Sequence, residues 1–374
     1  MNKTKILYVV STLRRTGPTN QLFNIIKHLD RNMFKPYILT LSPETEDSKY
    51  NNFIDLGVII KSLQLSRMRM LFNGDKKLKK IVNDVNPDVI HTQGIRADTL
   101  VSKYLYTYRH CNTIRNYACY DYSMKYGTFF GKIIANFHLN TIKKIEKPIA
   151  CSYFVSNLLN VNHKISVETI QNGVDDDVYK PVDREDKEAL RKRLNLHNGK
   201  VIFIATGDLI PRKDPITMIN AFKIANLNRS AQLLLLGEGE LKEESMKLVN
   251  NDVLMIGRVE NVIDYLRASD VFVSSSKAEG LPNAVLEAMS TGLPVLLSDI
   301  EPHIELLNKD KETGDIFKIG NVEQLSELFE RYMKEDREHK GRKARKIIEE
   351  NFSAKIMSEK YQSTYKNLLN ISLN

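Results

Sequence analysis

The run Glu279-Gly-Leu-Pro-Asn-Ala-Val-Leu-Glu287 sets two carboxylates eight positions apart, where a strand gives way to a helix. The strand is read over 270–274, with Ser274-Ser275-Ser276 leading out of it. Pro282 suits the first helical turn, because its missing N–H is not needed there. The amides of Gly280, Leu281 and Asn283 then stand at a helix N-terminus, where aligned N–H groups attract anions. Glu279 precedes the turn and Glu287 lies inside the helix. Carboxylates so placed accept hydrogen bonds from ribose or sugar hydroxyls while the amides hold a diphosphate. That is the chemistry of nucleotide-sugar binding. Read plainly, the same residues also make one buried helix with two solvated carboxylates.

Elements on both sides must position this run. Short apolar runs over 6–10, 37–41, 58–63, 88–91, 113–114 and 149–151 read as buried strands, and helical periodicity marks 20–29, 77–85 and 98–106. A charged helical segment over 183–196 follows Asp175-Asp-Asp177 and Pro181, and the linker between domains is placed there. The pattern then restarts, with strands over 201–206, 232–236, 253–256, 270–274 and 294–297. Helices over 216–225, 241–249, 262–267, 283–291 and 322–334 alternate with them. Two runs of βα alternation predict an α/β protein with two doubly wound parallel sheets, whose ligands bind at the carboxyl ends of strands.

At 374 residues the chain exceeds one ordinary core, and its 42% hydrophobic and 27% charged content is that of a globular protein. The longest apolar runs, such as 201–205 and 233–236, are strand-sized and too short to span a bilayer. The first strand follows Met1 so closely that no signal peptide is expected. Cys111, Cys119 and Cys151 lack metal-ligand spacing and cannot all pair, which predicts a reducing, cytoplasmic compartment. Residues 1–180 carry 26 Lys and Arg against 15 Asp and Glu, a net +11; the remainder carries 29 against 31, a net −2. The basic half suits an anionic partner (nucleic acid, acidic lipid or phosphorylated substrate) or a plain solvated surface. Its densest stretch holds Arg67, Arg69, Met70 and Phe72, then Lys76, Lys77, Lys79 and Lys80.

Gly207-Asp-Leu-Ile-Pro-Arg-Lys213 follows the strand over 201–206. Its glycine admits close backbone approach, and Arg212 and Lys213 open the next helix, where both can meet phosphate oxygens. The pair also reads as an exposed helix start. Leu236-Gly-Glu-Gly-Glu240 and Gly257-Arg-Val-Glu260 close the next two strands, as ligand loops or as ordinary βα turns. In the first half, Thr16 or Gly17 caps a helix that Pro18 begins.

Glu279 and Glu287, with Gly280, Pro282, Ala288-Met289, Gly292-Leu-Pro294 and Asp299, resemble the Glu-x7-Glu signature of the retaining glycosyltransferase family 4. The resemblance extends across most of the chain. It implies the GT-B architecture: an acceptor-side domain over 1–180, a nucleotide-sugar domain over 181–352, and a C-terminal helix over 353–374 crossing back to the first domain. It implies that Lys213 neutralises the donor diphosphate. The family's arginine is replaced by Asp208, with Arg212 placed to substitute from the other end of the loop. It further implies that Gly237 lies near the nucleotide, that backbone around Arg258 and Val259 holds the base, and that Glu279 orients sugar hydroxyls while Glu287 takes the ribose.

On the acceptor side it assigns Gly17, with Thr16 in place of a second glycine and Thr19 in place of a glutamate. His91 stands in a His-x-His position whose second place is Gln93, and Arg115 replaces a sugar-contacting histidine, with Asn116 beside it. Asn172-Gly-Val-Asp175 matches the turn before the linker. The activity implied is transfer from a UDP-sugar, with retention and no metal or other cofactor, to a lipid-linked glycan of a bacterial capsule, O-antigen or exopolysaccharide, at the inner membrane face. A sugar-nucleotide epimerase or hydrolase of the same form is the enzymatic alternative. A basic nucleic-acid-binding module is the alternative of another class, although no nucleic-acid motif is present.

Overall fold

The computed structural model describes residues 3–65 and 70–370, with the side chains of 70–74 left aside. The chain divides into two compact units. The first runs to Gly173 and resumes at Ala354; the second spans Val174–Ser353.

In the first unit, β1 (Thr4–Val10), α1 (Gly17–Lys27), β2 (Phe34–Thr40), α2 (Tyr50–Asp55), β3 (Ile59–Ser62), α3 (Met70–Val85) and β4 (Val89–Gln93) alternate. They continue as α4 (Ile95–Tyr104), β5 (Arg109–Ile114), α5 (Ala118–Tyr126), α6 (Thr128–Ile142), β6 (Lys147–Ala150), α7 (Tyr153–His163) and β7 (Glu168–Thr169). The strands form one parallel sheet in the order β3-β2-β1-β4-β5-β6-β7. Period-2 alternation splits β1 between two cores. Ile6, Tyr8 and Val10 face a cluster with α1, and Leu7 and Val9 face one with α3 and α4.

The second unit holds α8 (Arg184–Arg193), β8 (Val201–Thr206), α9 (Pro215–Ile224), β9 (Ala231–Leu236), α10 (Lys242–Met246), β10 (Val253–Gly257), α11 (Val262–Ala268) and β11 (Val271–Ser274). After these come α12 (Asn283–Ser290), β12 (Val295–Ser298), α13 (Glu301–Leu307), β13 (Gly314–Phe317), α14 (Val322–Tyr332) and α15 (Arg337–Ile347). The sheet order is β10-β9-β8-β11-β12-β13, again parallel. Each sheet reverses direction beside its first strand, between β1 and β4 and between β8 and β11. That is where a doubly wound sheet opens a crevice.

The last helix, α16 (Ala354–Leu368), belongs to the first unit: Met357, Tyr361, Tyr365 and Leu368 pack into the α1-side core. Ser358 Oγ donates to Ile25 O, and Gln362 Oε1 accepts from Asp30 N.

The division after Gly173 precedes the linker expected from sequence. Gly173 is tied to the first unit, its N–H donating to Gln21 Oε1 and its carbonyl accepting from Gln21 and Asn24. Asp176 and Tyr179 are tied to the second: Arg345 Nη1 donates to both carbonyls, and Ser290 Oγ donates to Tyr179 O. These few hydrogen bonds, invisible in composition, decide to which unit the acidic stretch belongs.

Candidate active site

The loops after β8, β9 and β10 are stitched by backbone. Gly207 N donates to Leu236 O, Leu209 N to Glu238 O, and Gly237 N to Gly257 O. Gly237 has φ +150, and a Cβ there would stand 1.9 Å from Gly207 O. Only glycine lets these loops approach so closely.

A second stitch joins the loop after β8 to the loop after β11. Lys277 N donates to Arg212 O, and Ser275 Oγ donates to the carbonyls of Lys213 and Asp214. Arg212 Nη1 donates to Ala278 O at 2.7 Å and to Glu279 Oε2 at 2.8 Å. Lys213 Nζ lies 2.5 Å from Glu279 Oε1, which also accepts from Ser276 Oγ at 2.9 Å. Burial raises the Glu279 carboxyl, but Lys213 and Arg212 together outweigh it and bring it down to about 2. Two cations thus converge on one fixed carboxylate at the carboxyl end of the sheet.

Beside them α12 begins. Pro282 is its N-cap, one place before the helix proper, and Gly280 and Leu281 are buried ahead of it. Glu287 faces Tyr179, whose hydroxyl bonds the carboxylate; the charge of Glu287, then burial, pushes that phenol far up. A pocket here is lined by Gly207, Asp208, Lys213, Ser274, Ser275, Ser276 and Pro282. Asp208 and Arg258 are exposed, and Val259 is half-buried.

Behind Glu279, His303 is buried. Its Nδ1 meets Ser298 O at 2.9 Å, and burial lowers it to about 4. Ser298 Oγ donates to Ser276 O. The sequence offered Ser275 and Ser276 only as a way out of a strand; here Ser275 ties the two loops together and Ser276 holds Glu279. Tyr179 was likewise unforeseen, since it lies 108 positions from Glu287.

In the first unit a pocket of about 330 Å³ opens at the carboxyl ends of β1, β4 and β5. Arg14, Thr16, Thr19, Gln93, Arg115, Asn116, Tyr122 and His138 line it. Thr16 caps α1, and its hydroxyl meets that of Thr19 at 3.1 Å. Arg115 Nη1 donates to Asn172 Oδ1 at 2.7 Å, and Asn116 Nδ2 donates to Asp121 Oδ1. Behind this pocket stands a buried cluster that sequence reasoning missed. Asp98 accepts from Thr92 Oγ1, from Asn112 Nδ2 at 3.0 Å and from His138 Nε2 at 2.9 Å. On its other side, His138 Nδ1 lies 2.9 Å from the Tyr122 hydroxyl.

His91 departs from the sugar-side role given to it. It is fully buried, bonded to Tyr365 Oη and Thr113 Oγ1 at 2.8 Å each and stacked on Tyr361. Burial, then the charge of Arg115, lowers it to about 3. Alternation along β4 turns its side chain into the core under α16, which the motif alone does not reveal. In the basic stretch, Arg67 and Arg69 and the side chains of Met70 and Phe72 lie outside the described residues; Lys76, Lys77, Lys79 and Lys80 are exposed on α3. Among the described residues no group of three or more His, Cys, Asp or Glu stands together to hold a metal. No described helix is long and apolar enough to cross a membrane.

Residues 186–352, the stretch holding both loops of the Glu279 cluster, match the family model described as glycosyl transferases group 1, and 15–178 match that of glycosyltransferase family 4. The chain is a glycosyltransferase, with a family 4 domain followed by a group 1 domain. It is 27% identical over 373 residues to an O-antigen biosynthesis glycosyltransferase, WclY, of Escherichia coli, covering 97% of this chain and 98% of that one. Over 172 residues it is 33% identical to the E. coli UDP-Gal:alpha-D-GlcNAc-diphosphoundecaprenol alpha-1,3-galactosyltransferase, 43% of each chain. Among solved structures, Anabaena HepE in complex with UDP-glucose shares the fold at a TM-score of 0.83 and 16% identity, covering 97% of this chain and 99% of that one. Such neighbours make the two-domain fold GT-B.

Proposed function

We propose that this glycosyltransferase moves a sugar, with retention, from a UDP-sugar to a lipid-linked glycan at the cytoplasmic face of a membrane. The observation that carries this reading is the convergence of Arg212 and Lys213 on Glu279 beside the start of α12. A nucleotide diphosphate leaving an anomeric carbon gains negative charge, and fixed cations with helix-terminal amides stabilise it most as that charge develops. Lys213 and Arg212 take the diphosphate together with the amides of Gly280, Leu281 and Asn283. Arg212 thereby stands in for the arginine that Asp208 replaces. Glu287 accepts from the ribose, and backbone at Gly237, Arg258 and Val259 holds the base.

Glu279 anchors both cations and keeps lone pairs for a sugar hydroxyl, since a carboxylate has about four acceptor sites. Attack then comes from the face the diphosphate leaves, which takes up the acceptor's proton. Two protein cations supply the charge balance, and no metal cofactor is part of the proposal. Thr16, Arg115 and Asn116 serve the acceptor from the pocket of the first unit, with Gly17 next to Thr16 at the start of α1. The UDP-sugar and the lipid diphosphate acceptor are suggested by the names of the E. coli galactosyltransferase and the HepE complex.

The test incubates the chain with a panel of UDP-α-sugars and a polyprenyl-diphosphate-linked N-acetylglucosamine. Expected is an α-linked disaccharide by NMR. A β-linkage would overturn retention. Free or epimerised sugar, formed equally without acceptor, would overturn transfer in favour of the hydrolase or epimerase alternative.

A further inference from the structure

The hairpin of α5 and α6 follows β5 directly and forms one wall of the first unit's pocket through Ala118, Asp121, Tyr122 and His138. Helix α6 has two apolar faces, with Lys132, Asn136 and Asn140 exposed in a polar row between them. Ala135, Leu139 and Ile142 are buried inward, while Phe129, Phe130, Ile133 and Phe137 remain 72, 65, 53 and 53% exposed. Met124 and Tyr126 on α5 are exposed as well. Large apolar patches on a soluble surface mark interaction sites.

The charges around the patch say what covers it. Lys125 and Lys132 are exposed within the hairpin, and Lys143 and Lys144 are exposed just after it. The only acidic residue from 118 to 145 is Asp121, which faces the pocket and bonds Asn116. A second copy of this chain would bring the same lysines against each other. An anionic bilayer meets both features, because aromatic side chains enter the headgroup boundary while lysines meet lipid phosphates.

We propose that the outer face of the α5–α6 hairpin is the membrane-docking surface, laid flat on anionic lipid with Phe129, Phe130, Ile133 and Phe137 inserted. This rests on the lipid-linked acceptor reading and sharpens it. Inserted on one face, the hairpin holds Tyr122 and His138 on the other, so a lipid-borne acceptor reaches the pocket without leaving the bilayer. The surface differs from the basic stretch of α3.

The chain has no tryptophan, so Phe130→Trp creates a single reporter. Its emission is expected to shift to the blue on vesicles of phosphatidylglycerol and phosphatidylcholine and to stay unchanged on phosphatidylcholine alone. Tyr106→Trp, before β5 at the amino edge of the sheet, is expected to show no shift. In sedimentation with the mixed vesicles, Phe129→Ser/Phe130→Ser/Phe137→Ser and Lys125→Glu/Lys132→Glu should each lower the bound fraction about tenfold. UDP binding and transfer to a soluble acceptor should stay at wild-type level in both. An unshifted Phe130→Trp spectrum, an equal shift at Tyr106→Trp, or a wild-type dimer that the serine variant dissolves would overturn the proposal. If vesicle binding fails while transfer persists, only the docking surface falls; if transfer itself fails, the functional reading falls with it.

Discussion

Lys213 and Glu279 form a 2.5 Å ion pair that ties the loop after β8 to the loop after β11, and Arg212 closes it from the other oxygen of the same carboxylate. The Glu279 side chain is 8% exposed, so the pair is poorly screened, and its loss leaves two cations without their anchor. Glu279→Gln is therefore expected to lower turnover on the order of a hundredfold, in the range of lost transition-state contacts. Affinity for UDP should hold or rise, because the site gains net positive charge. Wild-type turnover in a folded variant would contradict the anchoring role.

Glu287 pairs with the Tyr179 hydroxyl, which fixes the carboxylate that we propose accepts from the ribose. Glu287→Gln removes a charge-assisted contact of about 1.5–3 kcal/mol, so UDP affinity by calorimetry should fall roughly tenfold or more. Tyr179→Phe should weaken it less, since it loses orientation and not the contact itself. Unchanged affinity in a folded Glu287→Gln would remove the ribose assignment.

Much of this site was legible because its chemistry is local in sequence. Glu279, Gly280, Pro282 and Glu287 sit in one turn and helix, and Arg212 and Lys213 in one loop. Convergence was not legible: Glu279 meets Arg212 across 67 positions, and only the strand order β8-β11 brings them together. The strands of both sheets were readable from buried apolar runs, except β7, only two residues long, and β13, a four-residue strand starting at Gly314. The α5–α6 hairpin escaped because exposed Phe129, Phe130, Ile133 and Phe137 mask the helical period of the polar row Lys132, Asn136 and Asn140 on α6. Helix α15 escaped because Arg and Lys fill it and Gly341 interrupts it. That glycine fits against Gly292, whose carbonyl would stand 1.9 Å from an added Cβ. His91 was misplaced because a strand-end motif does not say which face its side chain takes.

Three buried histidines make the fold sensitive to acid. Burial lowers His91 to about 3, His110 to about 4 and His303 to about 4. The unfolded chain takes up these protons near pH 6.5, but the folded chain does not until about pH 4. Stability is thus full above pH 6.5 and falls as pH drops towards 4, by about 1.4 kcal/mol per pH unit for each histidine. Glu279 adds to the fall lower down, because its folded value of about 2 lies below the unfolded range near 4.5. Apparent melting temperature, measured from pH 7.5 to 4.5, should decline steadily below 6.5. A flat profile would show that these histidines take up protons without unfolding.

Gly237→Ala tests the loop stitching without touching charge. The added methyl meets Gly207 O and a φ of +150 at once. A destabilisation of about 1–3 kcal/mol is expected, with loss of UDP binding, because backbone strain here displaces the loop that carries Lys213. A denaturant midpoint and UDP affinity both equal to wild type would show that the loops tolerate the separation.

The most direct measurement compares UDP with uridine on wild type and Lys213→Ala by calorimetry, with turnover measured alongside. Wild type should bind UDP far more tightly than uridine. The variant should keep its uridine affinity, lose most of that difference and turn over about a hundredfold more slowly. If UDP retains its full advantage in Lys213→Ala and turnover is unchanged, the diphosphate does not lie at the Arg212–Lys213–Glu279 cluster.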